Sequence, residues 1–115
     1  MHEASLAGGI LCLVEQAQAR ERFRRVSRIA LEAGALAGVE ARALRFALEA
    51  IAPGTVLEGA AIQIDEPAGR AWCLRCGDIV AIASRADACP RCGSFQLAPS
   101  GGTELKLREL IVHDD

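Results

Sequence analysis

Two cysteine pairs, AWCLRCG (71–77) and ACPRCG (88–93), constrain this chain more than any other feature. Cys73, Cys76, Cys89 and Cys92 follow the spacing C-x2-C-x12-C-x2-C. Each pair places two sulfurs on one tight turn, and two such turns facing each other surround a tetrahedral ion. Gly77 and Gly93 follow the second cysteine of each pair, where a residue without Cβ can take the positive φ that such a knuckle requires. Four soft ligands with no open position describe a structural site, and Zn²⁺ is its expected occupant. The competing readings are two redox-active disulfides or thiols with no common role. A thioredoxin-like dithiol opens a helix, and neither pair has helix-forming sequence behind it.

The rest of the chain must then supply a fold around or beside this module. At 115 residues there is room for one compact domain, or a small domain with a metal-stapled module. Hydrophobic residues make up 51%, aromatics only 3%, so any core is built from Ala, Leu, Ile and Val. The net charge of −2 argues against a general nucleic-acid or membrane-surface protein. The apolar run Leu6 to Val14 is too short to span a bilayer and follows Glu3 rather than a basic segment. A reducing cytoplasm is therefore the expected location, where paired thiols more often hold metal than disulfides.

Periodicity orders the elements. Residues 4–19 read as a helix with Leu6, Ile10, Leu13, Val14 and Ala17 on one face, Cys12 on the other as a lone thiol, and Gly8-Gly9 weakening it. Residues 20–25 form a basic link. A strand follows at 26–33, where Ile29 and Leu31 alternate with Arg28, Ala30 and Glu32. GALAG (34–38) reads as a turn. A second helix over about 39–51 is stopped by Pro53-Gly54, and Glu40 falls near the middle of its apolar arc of Ala43, Leu44, Ala47, Leu48 and Ile51. A carboxylate there points toward the first helix, although a first-turn acid favoured by the helix dipole explains it equally. Strands return at 60–65 and 104–112, the latter with a phase break at Glu109. Two strands rarely make a stable sheet, so the third is expected to complete one with the first two. The fold class is thus α+β: a small three-stranded mixed sheet with two helices, plus an inserted four-cysteine zinc-ribbon module. The α+β domain is discontinuous, 1–68 and 103–115, and the cysteine module occupies 69–102.

The first residues carry a second metal signal. Met1 and His2 offer the α-amine, the His2 amide nitrogen and the imidazole, which close fused five- and six-membered chelate rings. Such a nitrogen plane suits Ni²⁺ or Cu²⁺. His2 is bulky and disfavours removal of Met1, so the amine stays one residue before the imidazole. Read alone, a second-position histidine is an ordinary solvated tail residue.

The MHE start, ALEAG, Val39-Glu40, Leu44-Arg45-Phe46, Gly59 to Ile64, the paired CxxC motifs and the closing ELKLRELIV together resemble the HypA/HybF family of hydrogenase maturation nickel metallochaperones. The resemblance implies Ni²⁺ held by Met1, His2 and the backbone around Glu3, with Glu40 as an extra ligand and Zn²⁺ in the ribbon. It implies delivery of nickel to a [NiFe]-hydrogenase large-subunit precursor alongside a HypB-type GTPase, and it leaves room for a homodimer. No enzymatic activity is expected: His2 and His113, the only histidines, stand at opposite ends, and there is no P-loop. An alternative is a zinc-ribbon nucleic-acid-binding or transcription-associated module. Arg70, Arg75, Arg85 and Arg91 against Asp78 and Asp87 give the ribbon a balance of 4 − 2 = +2, with Trp72 and Phe95 as stacking groups. A thiol redox enzyme is the third reading.

Overall fold

The computed structural model describes residues 2–115. Two helices and six strands follow in the order α1 (His2–Glu21), β1 (Arg25–Ala33), α2 (Ala41–Ile51), β2 (Ala61–Asp65), β3 (Gly69–Cys73), β4 (Asp78–Ile82), β5 (Leu97–Gly101) and β6 (Leu105–His113). They make two three-stranded sheets, ordered β2-β1-β6 and β4-β3-β5. The expected return of the last strand to the first sheet is what the structure has, and it flanks β1 opposite β2. The chain groups into two compact units. One contains residues 2–31, Glu40–Ile64 and Leu107–Asp115; the other contains Glu32–Val39 and Asp65–Lys106.

In the first unit α1 packs on α2, and the buried faces are Ala7, Ile10, Val14 and Ala17 on one and Leu44 and Leu48 on the other. The face of α1 keeps Ile10, Val14 and Ala17 of the expected stripe, leaves Leu6 only half-buried and Leu13 exposed, and adds Ala7. Leu13 is 51% exposed while Ala7 is fully buried. Ala7, Ile10, Val14 and Ala17 are spaced three, four and three, whereas Leu13 lies about 100° round the helix from Val14. Ile29, Ala30 and Leu31 of the central strand are all buried. In β6 the half-buried positions shift phase between Leu107 and Leu110, around Glu109.

The second unit has a sparser core: Leu36, Ala71, Cys73, Val80, Ile82 and Cys89, with Cys92 and Leu97 packed against it. The segment read as a plain turn does more here. Leu36 is a core residue, its N–H donates to the Gly102 carbonyl at 2.8 Å, and the Ala35 N–H donates to Pro67 at 2.9 Å. This close approach explains Gly34. A Cβ there would collide with the carbonyl of Gly102 although φ at Gly34 is ordinary. By contrast, nothing lies within 4 Å of a Cβ at Gly9.

Opposite effects are therefore expected for two glycine-to-alanine changes. Gly34→Ala should destabilise by about 1–3 kcal/mol or more, because backbone must move. Gly9→Ala should stabilise by up to about 1 kcal/mol, through helix propensity alone. Thermal denaturation of the two variants beside the parent chain measures both.

Candidate metal centre

The four cysteines predicted to act together do come together. Their Sγ atoms all lie within 4.8 Å of one another. Among the described residues this is the one cluster of three or more His, Cys, Asp or Glu ligand atoms that could hold a metal ion. Cys73–Cys92 and Cys76–Cys89 are separated by 3.7 and 3.8 Å. A disulfide requires about 2.05 Å, so these are not bonded pairs. A tetrahedral ion with sulfur at about 2.3 Å has sulfur–sulfur edges of about 3.8 Å. The residues present therefore fit a four-thiolate ion.

Each pair is held by the same local geometry. The Gly77 N–H donates to the Cys73 carbonyl at 2.8 Å and the Gly93 N–H to the Cys89 carbonyl at 2.9 Å. Gly77 and Gly93 have φ of 66° and 77°, the left-handed turn that a side chain would strain. Inside each turn an amide points at sulfur: Cys76 N–H at Cys73 Sγ and Arg91 N–H at Cys89 Sγ, both 3.4 Å. β3 ends at the first knuckle and β4 begins just after it, so the sheet carries Cys73.

The electrostatics of the cluster are uneven. Burial pushes the Cys89 thiol up, but the amides of Cys92 and Arg91 and the neighbouring thiols outweigh it and bring it down to about 6. Cys76 is pushed up to about 12, chiefly by its contact with Cys92, then by burial and by Cys73 and Cys89. One sulfur is poised as a thiolate while another resists ionising beside it. A dication removes that conflict by drawing the protons off all four.

Of the residues expected at the nickel site, His2 and Glu3 lie in the first turn of α1 and Glu40 at the start of α2. Met1 lies outside the described residues. His2 opens α1 with its side chain 61% exposed, and its Nδ1 lies 3.6 Å from the Glu3 carboxylate. That carboxylate accepts the Glu40 N–H at 3.1 Å, tying the first turn of α1 to the start of α2. The Glu40 side chain does not reach across to α1 in return. It folds back as the N-cap of α2 and accepts the N–H of Arg42 at 3.1 Å and of Ala43 at 2.9 Å. Sequence reasoning missed this role because glutamate is not among the usual N-cap residues. The Glu40 N–H holds Glu3 below the usual carboxylate range, helped by the Glu3 amide and by His2 against a small effect of burial.

An α+β chain built beside a four-thiol cluster that could hold an ion defines a small metal-binding protein. The model of the family described as hydrogenase/urease nickel incorporation, metallochaperone, HypA matches residues 1–112. The chain belongs to the HypA family. It is 61% identical over 115 residues to the hydrogenase maturation factor HypA of Polaromonas naphthalenivorans, covering 100% of both. Against the factor of the same name from Cupriavidus necator the identity is 60% over 114 residues, covering 99% of this chain and 96% of the relative. The solution structure of the Ni metallochaperone HypA from Helicobacter pylori superposes with a TM-score of 0.69 over 98% of each chain at 17% identity, a likeness of fold. Among the described residues no helix is long and apolar enough to cross a membrane.

Cys73→Ser or Cys89→Ser should release bound metal and unfold the second unit, because two of the six core residues are these cysteines. Cys12 is exposed and remote in sequence from the cluster, so Cys12→Ser should leave metal content unchanged. Metal analysis with circular dichroism checks this. Glu3 gives a pH test. A carboxylate with a lowered folded pKa adds stability above its unfolded value and loses it as pH falls through the folded one. Glu3→Gln should therefore narrow its stability gap to the parent chain as the solution is acidified below the usual carboxylate range, measured by melting temperature.

Proposed function

We propose that the protein is a nickel metallochaperone that binds Ni²⁺ at its N-terminus and delivers it to the large-subunit precursor of a [NiFe]-hydrogenase. The ligands in this reading are the Met1 amine, the His2 amide and imidazole and the Glu3 amide, with Glu40 as a supplementary oxygen donor. The hydrogen bond from Glu40 N–H to the Glu3 carboxylate carries the reading. It brings an exposed imidazole, two acids and the opening of α1 into one corner.

Two features of this corner favour the chemistry. The first N–H groups of a helix have no carbonyl partner within it, and the Glu3 amide faces its own carboxylate. Exchanging the His2 and Glu3 amide protons for a metal therefore breaks no helical bond. The positive end of the helix dipole opposes a bare dication, and two deprotonated amides offset that opposition. The Glu40 carboxylate already accepts two N–H groups, which limits it to a weak additional contact.

Nickel is cargo in this scheme, released to the next protein. Cys73, Cys76, Cys89 and Cys92 hold a resident Zn²⁺ that supplies folding free energy and no chemistry of transfer. Any energy from nucleotide hydrolysis belongs to a HypB-type GTPase partner.

The test is a Ni²⁺ titration of untagged protein retaining Met1. His2→Ala should abolish tight binding while zinc content and melting temperature stay nearly unchanged. One residue added before Met1 should be nearly as damaging, because it moves the amine out of its chelate ring. Glu40→Ala should weaken binding less, though it also removes the helix cap and should cost about 1 kcal/mol of stability. Undiminished affinity in His2→Ala or in the extended chain would place the nickel site elsewhere.

A further inference from the structure

The second sheet presents a face that the cysteine cluster does not use. Burial alternates along β3: Gly69, Ala71 and Cys73 are buried, Arg70 and Trp72 are exposed. Trp72 is registered between Ile79 of β4 and Ala98 of β5, and Arg70 between Ala81 and Gly101. Leu74 continues the outward alternation just past β3, kept in line by its N–H to the Gln96 carbonyl at 3.0 Å. Trp72 is 42% exposed, Ile79 46% and Leu74 64%. Neighbouring side chains on three strands thus form one apolar surface rather than scattered exposed residues.

A single charge sits on this surface. The stem of Arg70 runs beside Gly101, where an added Cβ would touch Arg70 Cβ and Cδ at 3.5 Å. Among the described residues the Arg70 guanidinium has no carboxylate or carbonyl partner. Arg91, on the neighbouring knuckle, is instead held by Asp78 at 3.0 Å.

We propose that this face docks an extended acidic segment of a partner protein, one that alternates apolar side chains with carboxylates. The apolar side chains cover Trp72, Ile79 and Leu74, an aromatic-centred patch of the kind that carries binding energy. A carboxylate takes the fork of the Arg70 guanidinium. Charge complementarity selects this occupant. Among the described residues, the same face of a second copy presents Trp72, Ile79, Ala81 and Ala98 and no carboxylate for Arg70 to pair with. A nucleic acid would find one guanidinium where several phosphate contacts are needed. This proposal does not rest on the nickel reading.

Trp72 is the only tryptophan in the chain and reports on its own face. The zinc-loaded full chain is titrated with a synthetic peptide of alternating Leu and Glu, and with the matching peptide of Leu and Lys. The Leu–Glu peptide should shift Trp72 emission to the blue with saturation, and the Leu–Lys peptide should not. Arg70→Glu and Ile79→Lys should each weaken binding at least about tenfold with metal content and circular dichroism unchanged. His2→Ala should bind the peptide as the parent does. Equal response to both peptides, or full affinity in Arg70→Glu, overturns the proposal. So does a blue shift that grows with protein concentration alone, which assigns the face to a second copy. Salt-sensitive quenching by an oligonucleotide assigns it to nucleic acid and overturns it equally.

Discussion

Four sulfur atoms within 4.8 Å of one another cannot all carry charge unless a cation shares the space. That constraint governs the second unit. Its core of six buried residues includes two of the cysteines, and its largest side chains are Leu36 and Ile82. A core this small gives little stability of its own, and an ion held between the two knuckles would replace the missing apolar contacts. The glycines follow from the same constraint. Gly77 and Gly93 turn the knuckles, while Gly34 lets backbone approach the Gly102 backbone and Gly69 leaves room for the Ile82 carbonyl and the Leu36 side chain. The outward Trp72 follows as well, since the inner face of β3 has room only for Gly69, Ala71 and Cys73.

The first unit obeys a different rule. Its buried faces are aliphatic and its helices carry the usual period, so composition and spacing made it readable. The central strand, both helices and the strand that returns at the end of the chain all followed from the pattern of Ile, Leu and Val. Leu13 escaped because a run of adjacent apolar residues offers two neighbouring stripes, and only packing against α2 chooses Ala7 over Leu6 and Leu13. Glu40 was found by its place on the helical wheel, but its cap depends on backbone geometry, φ −87° and ψ 110°, that no wheel represents.

The second sheet was not legible. Strands of five residues with Gly, Ala and Cys inward and Trp outward invert the usual order of hydrophobicity, so alternation gave no signal. The role of residues 34–38 was hidden for another reason. Leu36 meets its core neighbours Ala71, Val80 and Ile82 only through the fold, at sequence distances no local pattern spans. The cysteine spacing, in contrast, specified its own geometry almost completely, because four ligands about one ion leave few arrangements.

In the proposed scheme the helix corner and the thiol cluster would divide two metals by donor chemistry: nitrogen and amide at the start of α1, sulfur at the knuckles. The claim most exposed to test is that the backbone at the start of α1 itself binds nickel. Amide-proton spectra of the zinc-loaded, ¹⁵N-labelled chain, recorded before and after one equivalent of Ni²⁺, examine it directly. Loss of the His2 and Glu3 amide protons, with signals of Cys73, Cys76, Cys89 and Cys92 unmoved, is the result this account predicts. Retention of both amide protons at full nickel occupancy would contradict it.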